Sequence, residues 1–311
     1  MSLSPLPADA ALITVYGASE PFAAWLCAAH AERGQQVVVI TPSEDLARRL
    51  ATDIRFFRAG PPTEEPIAPP QALHLPALDV GPYVELSPDR ATLAARMSGL
   101  YRLSHPDLCP DIVVLSVESL TRRALAPAEL EKLTTTLSAG GEIDRDGTAE
   151  LLVRAGYART QVVEDPGTFA VRGGVIDLFP SLYRYPIRIE LFGDEVESIR
   201  TFDPDSQRTL RALDVVHVHP VRETIATTGA DLRGRLLEAA DRAAHPSKET
   251  RRITSAADSG EEFVGIEVLT PAFHAGMASV SDYLDPEAAW FAFDPDRIRE
   301  HAADLHELAE D

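Results

Sequence analysis

Tyr16-Gly17-Ala18-Ser19 stands where a phosphate-binding turn would stand, between a β-branched run and an amphipathic segment. Such a turn needs several glycines so that backbone N–H groups can cradle phosphate. It also needs a lysine for the outer phosphate oxygens and a Ser or Thr for magnesium. Residues 17–25 read GASEPFAAW, with one glycine, no lysine, and Glu20 to repel phosphate. Lysine is missing from the first 131 residues, and Lys132 and Lys248 are the only two among 29 basic residues. Gly17, Ala18, Ser19 and Glu20 therefore read as a degenerate nucleotide loop, a tight turn into a helix that binds no cofactor.

The other reactive side chains do not assemble either. His217 and His219 lie two apart on a strand with no third ligand nearby, and Cys27 and Cys109 form no C-x-x-C pair, so no metal site is expected. Residues 17–21 lack the closing glycine of a nucleophile elbow. Asp194 and Glu195 fall in a turn and project apart, a poor acid–base pair. No catalytic constellation is read. Arginines remain: Arg159, Arg172, Arg188 and Arg200 recur through the middle of the chain. In Ile187-Arg188-Ile189-Glu190 strand alternation puts the charged pair on one face and the isoleucines on the other. That polar face is either a solvated strand face or a docking surface, for which arginine is the best-suited cation. A surface arginine contributes little to folding, about 0.5 kcal/mol on truncation.

These residues sit in a chain whose elements change style part-way. Residues 12–16 (LITVY), Val37-Val38-Val39-Ile40 and Ile112-Val113-Val114-Leu115 read as buried strands. Between them, Phe22, Trp25, Leu26 and Ala29 share one helix face, as do Leu46, Leu50 and Ile54. Gly34 is placed to end the first helix, Ser43 to cap the second, and Ser87-Pro88 to start a third. Residues 59–71 hold five prolines and form a loop. From residue 169 to 209 the chain alternates as antiparallel strands, with Gly173-Gly174 and Gly193-Asp194 as turns and a helix over 147–155 before them. Residues 215–219 and a helix over 231–244 then resume the earlier style. The pattern predicts an α/β parallel-sheet domain interrupted by an inserted antiparallel α+β domain; the degenerate nucleotide site at 17–20, standing where a phosphate loop would stand, makes the larger domain P-loop-NTPase-like. The expected boundaries are 1–121, 122–212 and 213–311.

Charge and composition narrow the function. Asp and Glu number 49, for a net charge of -20, which opposes phosphate backbones, so little direct DNA binding is expected. Residues 122–212 hold 12 basic and 15 acidic residues, the least repulsive stretch for an acidic partner. No apolar run approaches the roughly 18 residues of a membrane span, and the start has no signal-peptide pattern. With only two cysteines, a reducing cytoplasm is the expected compartment.

Three runs carry a family resemblance. Residues 165–180 (DPGTFAVRGGVIDLFP), 188–200 (RIELFGDEVESIR) and 202–210 (FDPDSQRTL) are similar to the damage-recognition module shared by UvrB and the bacterial transcription-repair coupling factors, the Mfd family. The ending Asp205-Ser206-Gln207-Arg208-Thr209 resembles the coupling factors more than UvrB. So do Ser87-Pro88 and Gly265-Ile266-Glu267 followed by Pro271. The resemblance spans about residues 12–295 and implies the order domain 1a, inserted domain 2, domain 1b, in an N-terminal fragment of a longer chain. It further implies a recruitment module that binds UvrA, followed in the parent by RNA-polymerase-binding and ATP-dependent translocase domains. The UvrA-contacting positions of UvrB match Arg159, Arg172, Arg188 and Glu190, while a further UvrB arginine falls on Ala170. Phe169 and Phe179 match family aromatics and are expected in the core. No UvrB-like aromatic hairpin is expected after residue 80, where Tyr83 stands nearly alone. The competing readings are an ATP-dependent DNA-remodelling activity, which belongs to the parent, and UvrB-like binding of damaged DNA.

Overall fold

The computed structural model describes residues 13–58, 67–80, 86–225, 230–242, 247–259, 264–274 and 276–310; Leu12 and Tyr83 lie outside them. The chain forms two compact units. One comprises Met1–Ala77, Gly99–Arg123 and Ser279–Asp311, the other Leu78–Ser98 and Ala124–Ala278.

The first unit is built on a parallel sheet ordered Ala289–Ala292, Val37–Thr41, Ile112–Ser116, Leu73–Leu75. Its two central strands run apolar up to a closing Thr41 and Ser116 because both of their faces are covered. Helices Glu20–Ala31 and Glu44–Phe57 bury Ala24, Cys27, Ala47, Leu50 and Ile54 against Val37, Val39, Ile112 and Val114. Gly34 ends the first helix region at φ 81°, and Ser43 caps the second by accepting the Leu46 N–H. The strand expected over 12–16 is corrected: residues 13–16 have no sheet partner, and Tyr16 is 91% exposed. Ile13 and Val15 are also exposed, so no core contact stabilises an added strand there. The turn 17–19 therefore does not follow a strand of the sheet.

The second unit holds a six-stranded sheet ordered Thr209–Leu213, Glu195–Phe202, Ile187–Phe192, Val175–Leu178, Thr168–Arg172, Ala158–Arg159. All its pairs are antiparallel except the last. Gly173 takes φ 60° in the turn before Val175–Leu178, and a Cβ at Gly174 would sit 2.8 Å from the Leu191 carbonyl oxygen. Ile176, Leu178 and Ile189 face Leu151 and Leu152 of helix Arg145–Arg154, together with Leu137 and Val218. Phe169 and Phe179 are buried. Strand Val215–Val218 pairs antiparallel with Thr135–Ser138, so the stretch after residue 213 does not resume the parallel sheet; only residues from 279 onward belong with it.

The helix expected from Ser87-Pro88 begins later, as Arg90–Leu103. Asp89 caps it, accepting the Ala91 and Thr92 N–H groups, because a carboxylate one residue before the first turn outcompetes a more distant hydroxyl. The Ser87 hydroxyl instead donates to Glu267 and accepts the Gly265 N–H.

Candidate protein-docking face

The antiparallel sheet has two chemically different faces, one apolar and buried and one charged. Ile187 and Ile189 are buried, as are Ile176 and Leu178 across from them. The alternate positions carry charge. Register sets Asp177 opposite Arg188, Val175 opposite Glu190, and Arg188 opposite Arg200. Arg172, one strand further, is opposite Val175.

Asp177 is the centre of this face. Its side chain is 1% exposed, yet it is ionically paired on both oxygens. Arg188 donates from Nε to Oδ1 at 2.7 Å and from Nη2 to Oδ2 at 2.9 Å, a bidentate fork. Arg172 donates from Nη2 to Oδ2 at 2.5 Å. The Arg188 guanidinium also lies 4.5 Å over the Phe202 ring and donates to Gln207 Oε1 at 3.0 Å. The hydrogen bond to Asp177 raises the Arg188 pKa further, so its charge is permanent. Glu190 accepts from Arg200 and from the Ser198 hydroxyl.

The structure thus brings together Arg172, Arg188 and Glu190. Arg159 is exposed but pairs with Phe169, which belongs to the opposite alternation of its strand, so register does not set it beside Arg172. Ala170 is buried opposite Asp177. Arg172 is half exposed and Arg188 is 18% exposed. Asp177 consumes only one Arg172 nitrogen and two of Arg188, so Nε and Nη1 of Arg172 and Nη1 of Arg188 keep donors for another acceptor. The cluster of Arg172, Arg188, Arg200, Asp177 and Glu190 is net positive on a chain that is net negative. Its chemistry suits a carboxylate-bearing partner.

Two other polar clusters lie in the parallel-sheet unit. Ser19 precedes helix Glu20–Ala31 without capping it through its side chain, and Glu20 at the helix start is engaged by Arg49. At the carboxyl ends of the parallel strands, Glu44 accepts the Ser116 hydroxyl at 2.9 Å and the Ala77 N–H at 3.2 Å, with His74 Nε2 at 2.6 Å. Burial acts to raise the Glu44 carboxyl, but His74 and these donors outweigh it and hold it below the ordinary value. Because the carboxylate sits between serine and imidazole, the imidazole cannot take the serine proton as a nucleophilic pair requires.

Residues 135–223 match the UvrB interaction domain, a stretch that contains the whole charged face. The chain is 39% identical over 274 residues to a transcription-repair-coupling factor of Myxococcus xanthus, covering 86% of this chain and 22% of that protein. It is 34% identical over 245 residues to the Mycobacterium bovis transcription-repair-coupling factor, covering 74% and 19%. It is also 33% identical over 199 residues to UvrABC system protein B of Thermosipho africanus, covering 62% and 30%. The chain is a relative of the transcription-repair-coupling factors. It spans about a fifth of the length of the coupling factors it matches. Among the described residues no helix is long and apolar enough to cross a membrane.

Within this UvrB-like region the residue that sequence reasoning missed is Asp177. The signal was present: it is the one charged residue in Val175-Ile176-Asp177-Leu178-Phe179, at a position whose neighbours are core. A lone buried carboxylate demands a cationic partner, and Arg172 and Arg188 were the arginines already singled out.

Proposed function

We propose that this chain is a recruitment module of a transcription-repair coupling factor, and that the face of Arg172, Arg188 and Glu190 binds UvrA, with Arg159 on the edge strand Ala158–Arg159 as a separate contact. The observation that carries the reading is the buried Asp177 holding two guanidiniums side by side while leaving some of their donors unused. That face lies inside the stretch matching the UvrB interaction domain. Nucleotide excision repair would thereby be brought to stalled RNA polymerase, which other parts of the parent chain engage, in the cytoplasm. A pull-down with purified UvrA tests it: retention of UvrA by this chain is the expected result, and none at micromolar concentrations of both proteins contradicts it.

The module is non-catalytic in this reading and requires no cofactor. The supporting features are the GASEPFAAW turn, the absence of lysine before Lys132, and the serine of the Glu44 cluster bound to carboxylate. The alternative, ATP-driven DNA remodelling, belongs to the rest of the parent. ATP turnover by this chain, freed of contaminating ATPase, is expected at background. Turnover that rises with enzyme concentration and survives repurification would overturn this part of the account. The net charge likewise favours a protein partner over duplex DNA.

A further inference from the structure

Gln207 stands out in the backbone of the docking unit. It has φ 58°, and it and Asp294 are the non-glycine residues with positive φ among those described. Glycine or asparagine adopts that conformation at little cost, whereas glutamine is uncommon there. Strain of this kind persists only where its surroundings over-determine it, and it gathers at functional sites. Here the surroundings are a turn with many internal bonds. Asp203 Oδ1 accepts both the N–H and the hydroxyl of Ser206 at 2.8 Å. The Gln207 N–H donates to the Asp203 carbonyl at 2.8 Å, and the Asp203 N–H to the Arg208 carbonyl at 2.9 Å. The Ser206 N–H and hydroxyl hold the Asp203 carboxyl below its ordinary pKa.

The side chain shows what the strained backbone achieves. Gln207 Nε2 donates to the Pro204 carbonyl at 2.8 Å, which fixes which end of the amide is nitrogen. Oε1 is thereby turned to Arg188 and accepts from Nη2 at 3.0 Å. With Asp177 on one edge, Phe202 beneath and Gln207 on Nη2, the guanidinium has a single orientation, with Nη1 left for an incoming acceptor.

We infer that Gln207, held at left-handed φ by the Asp203 turn, is a positioning residue that fixes the Arg188 guanidinium for an acidic group on the partner. This rests on the reading of the arginine face as the UvrA-binding surface. It gives the Asp203–Arg208 run a role in recognition rather than only in turning the chain.

The test measures the affinity of this chain for purified UvrA alongside thermal melting, for Gln207→Gly and Arg172→Ala. Glycine relieves the backbone strain and removes the acceptor, so the two readouts should part. Melting should hold within about 2 °C or rise. Affinity should fall about five- to tenfold, the effect of one charge-assisted hydrogen bond. Unchanged affinity in Gln207→Gly with a loss in Arg172→Ala overturns the positioning role and leaves the docking reading standing. Affinity and melting falling together in Gln207→Gly means that the turn is only structural, which also overturns it. If Arg172→Ala binds UvrA like the unsubstituted chain, the docking reading falls and this inference falls with it.

Discussion

Arg188→Ala is expected to destabilise the unit that contains it by about 3 kcal/mol, several times the cost of an ordinary surface truncation. This corrects the value of about 0.5 kcal/mol that a surface arginine on a strand implies. Asp177 is 1% exposed and receives two of its three arginine hydrogen bonds from Arg188. Removing that guanidinium leaves a buried carboxylate facing Arg172 alone, a half-exposed side chain whose attraction is weakened by solvent. The stacking on Phe202 and the bond to Gln207 go with it. Arg172→Ala should cost only about 1 kcal/mol, since the bidentate fork survives. Urea denaturation of both variants checks the ranking. Equal, small losses would mean that water reaches Asp177 in the folded unit.

Arg96→Ala should be at least as damaging, by about 3 to 5 kcal/mol. Arg96 lies on helix Arg90–Leu103 with its side chain 1% exposed, and its Nε donates to Glu223 Oε1 at 3.0 Å. Glu223 is itself 10% exposed, and its backbone carbonyl is bonded by His274 Nε2 at 2.7 Å. The truncation leaves the Glu223 carboxylate buried without this cation and opens a cavity the size of an arginine side chain. Desolvation, rather than the pair's attraction, is the larger part of that cost. The double variant Arg96→Met/Glu223→Leu should therefore be more stable than Arg96→Ala, because an apolar pair removes the stranded charge. Denaturation midpoints of the two proteins decide it. A double variant that is weaker than Arg96→Ala would show that the pair itself supplies the stability.

The elements that sequence made legible are those whose residues answer to burial alone. Val37–Thr41 and Ile112–Ser116 are apolar up to their last residues and central in their sheet, and Leu46, Leu50 and Ile54 share a helix face buried against them. The alternation of Ile187, Arg188, Ile189 and Glu190 likewise survives into the folded sheet. Residues 12–16 carry the same β-branched signature, but propensity forms no strand where residues 13–16 find neither partner nor cover. The candidate site was half legible. Strand alternation puts Arg188 and Glu190 on one face, and the resemblance to UvrB marks them with Arg172 as docking residues, but their pairing depends on which residue of one strand faces which of the next. Asp177 opposite Arg188 is a fact of register, not of local pattern. Gln207 was hidden for a different reason, because its role lies in a backbone angle that its residue type disfavours.

In the proposed function the Asp177-anchored arginines form the surface that meets UvrA. Arg172 tests it most directly, because its half-exposed side chain can be removed while Arg188 still neutralises Asp177. The measurement is the equilibrium affinity of Arg172→Ala for purified UvrA, read together with its melting temperature. Binding is expected to be about thirtyfold weaker, roughly 2 kcal/mol, with melting lowered by only a few degrees. Parent-like affinity in a folded Arg172→Ala would contradict it.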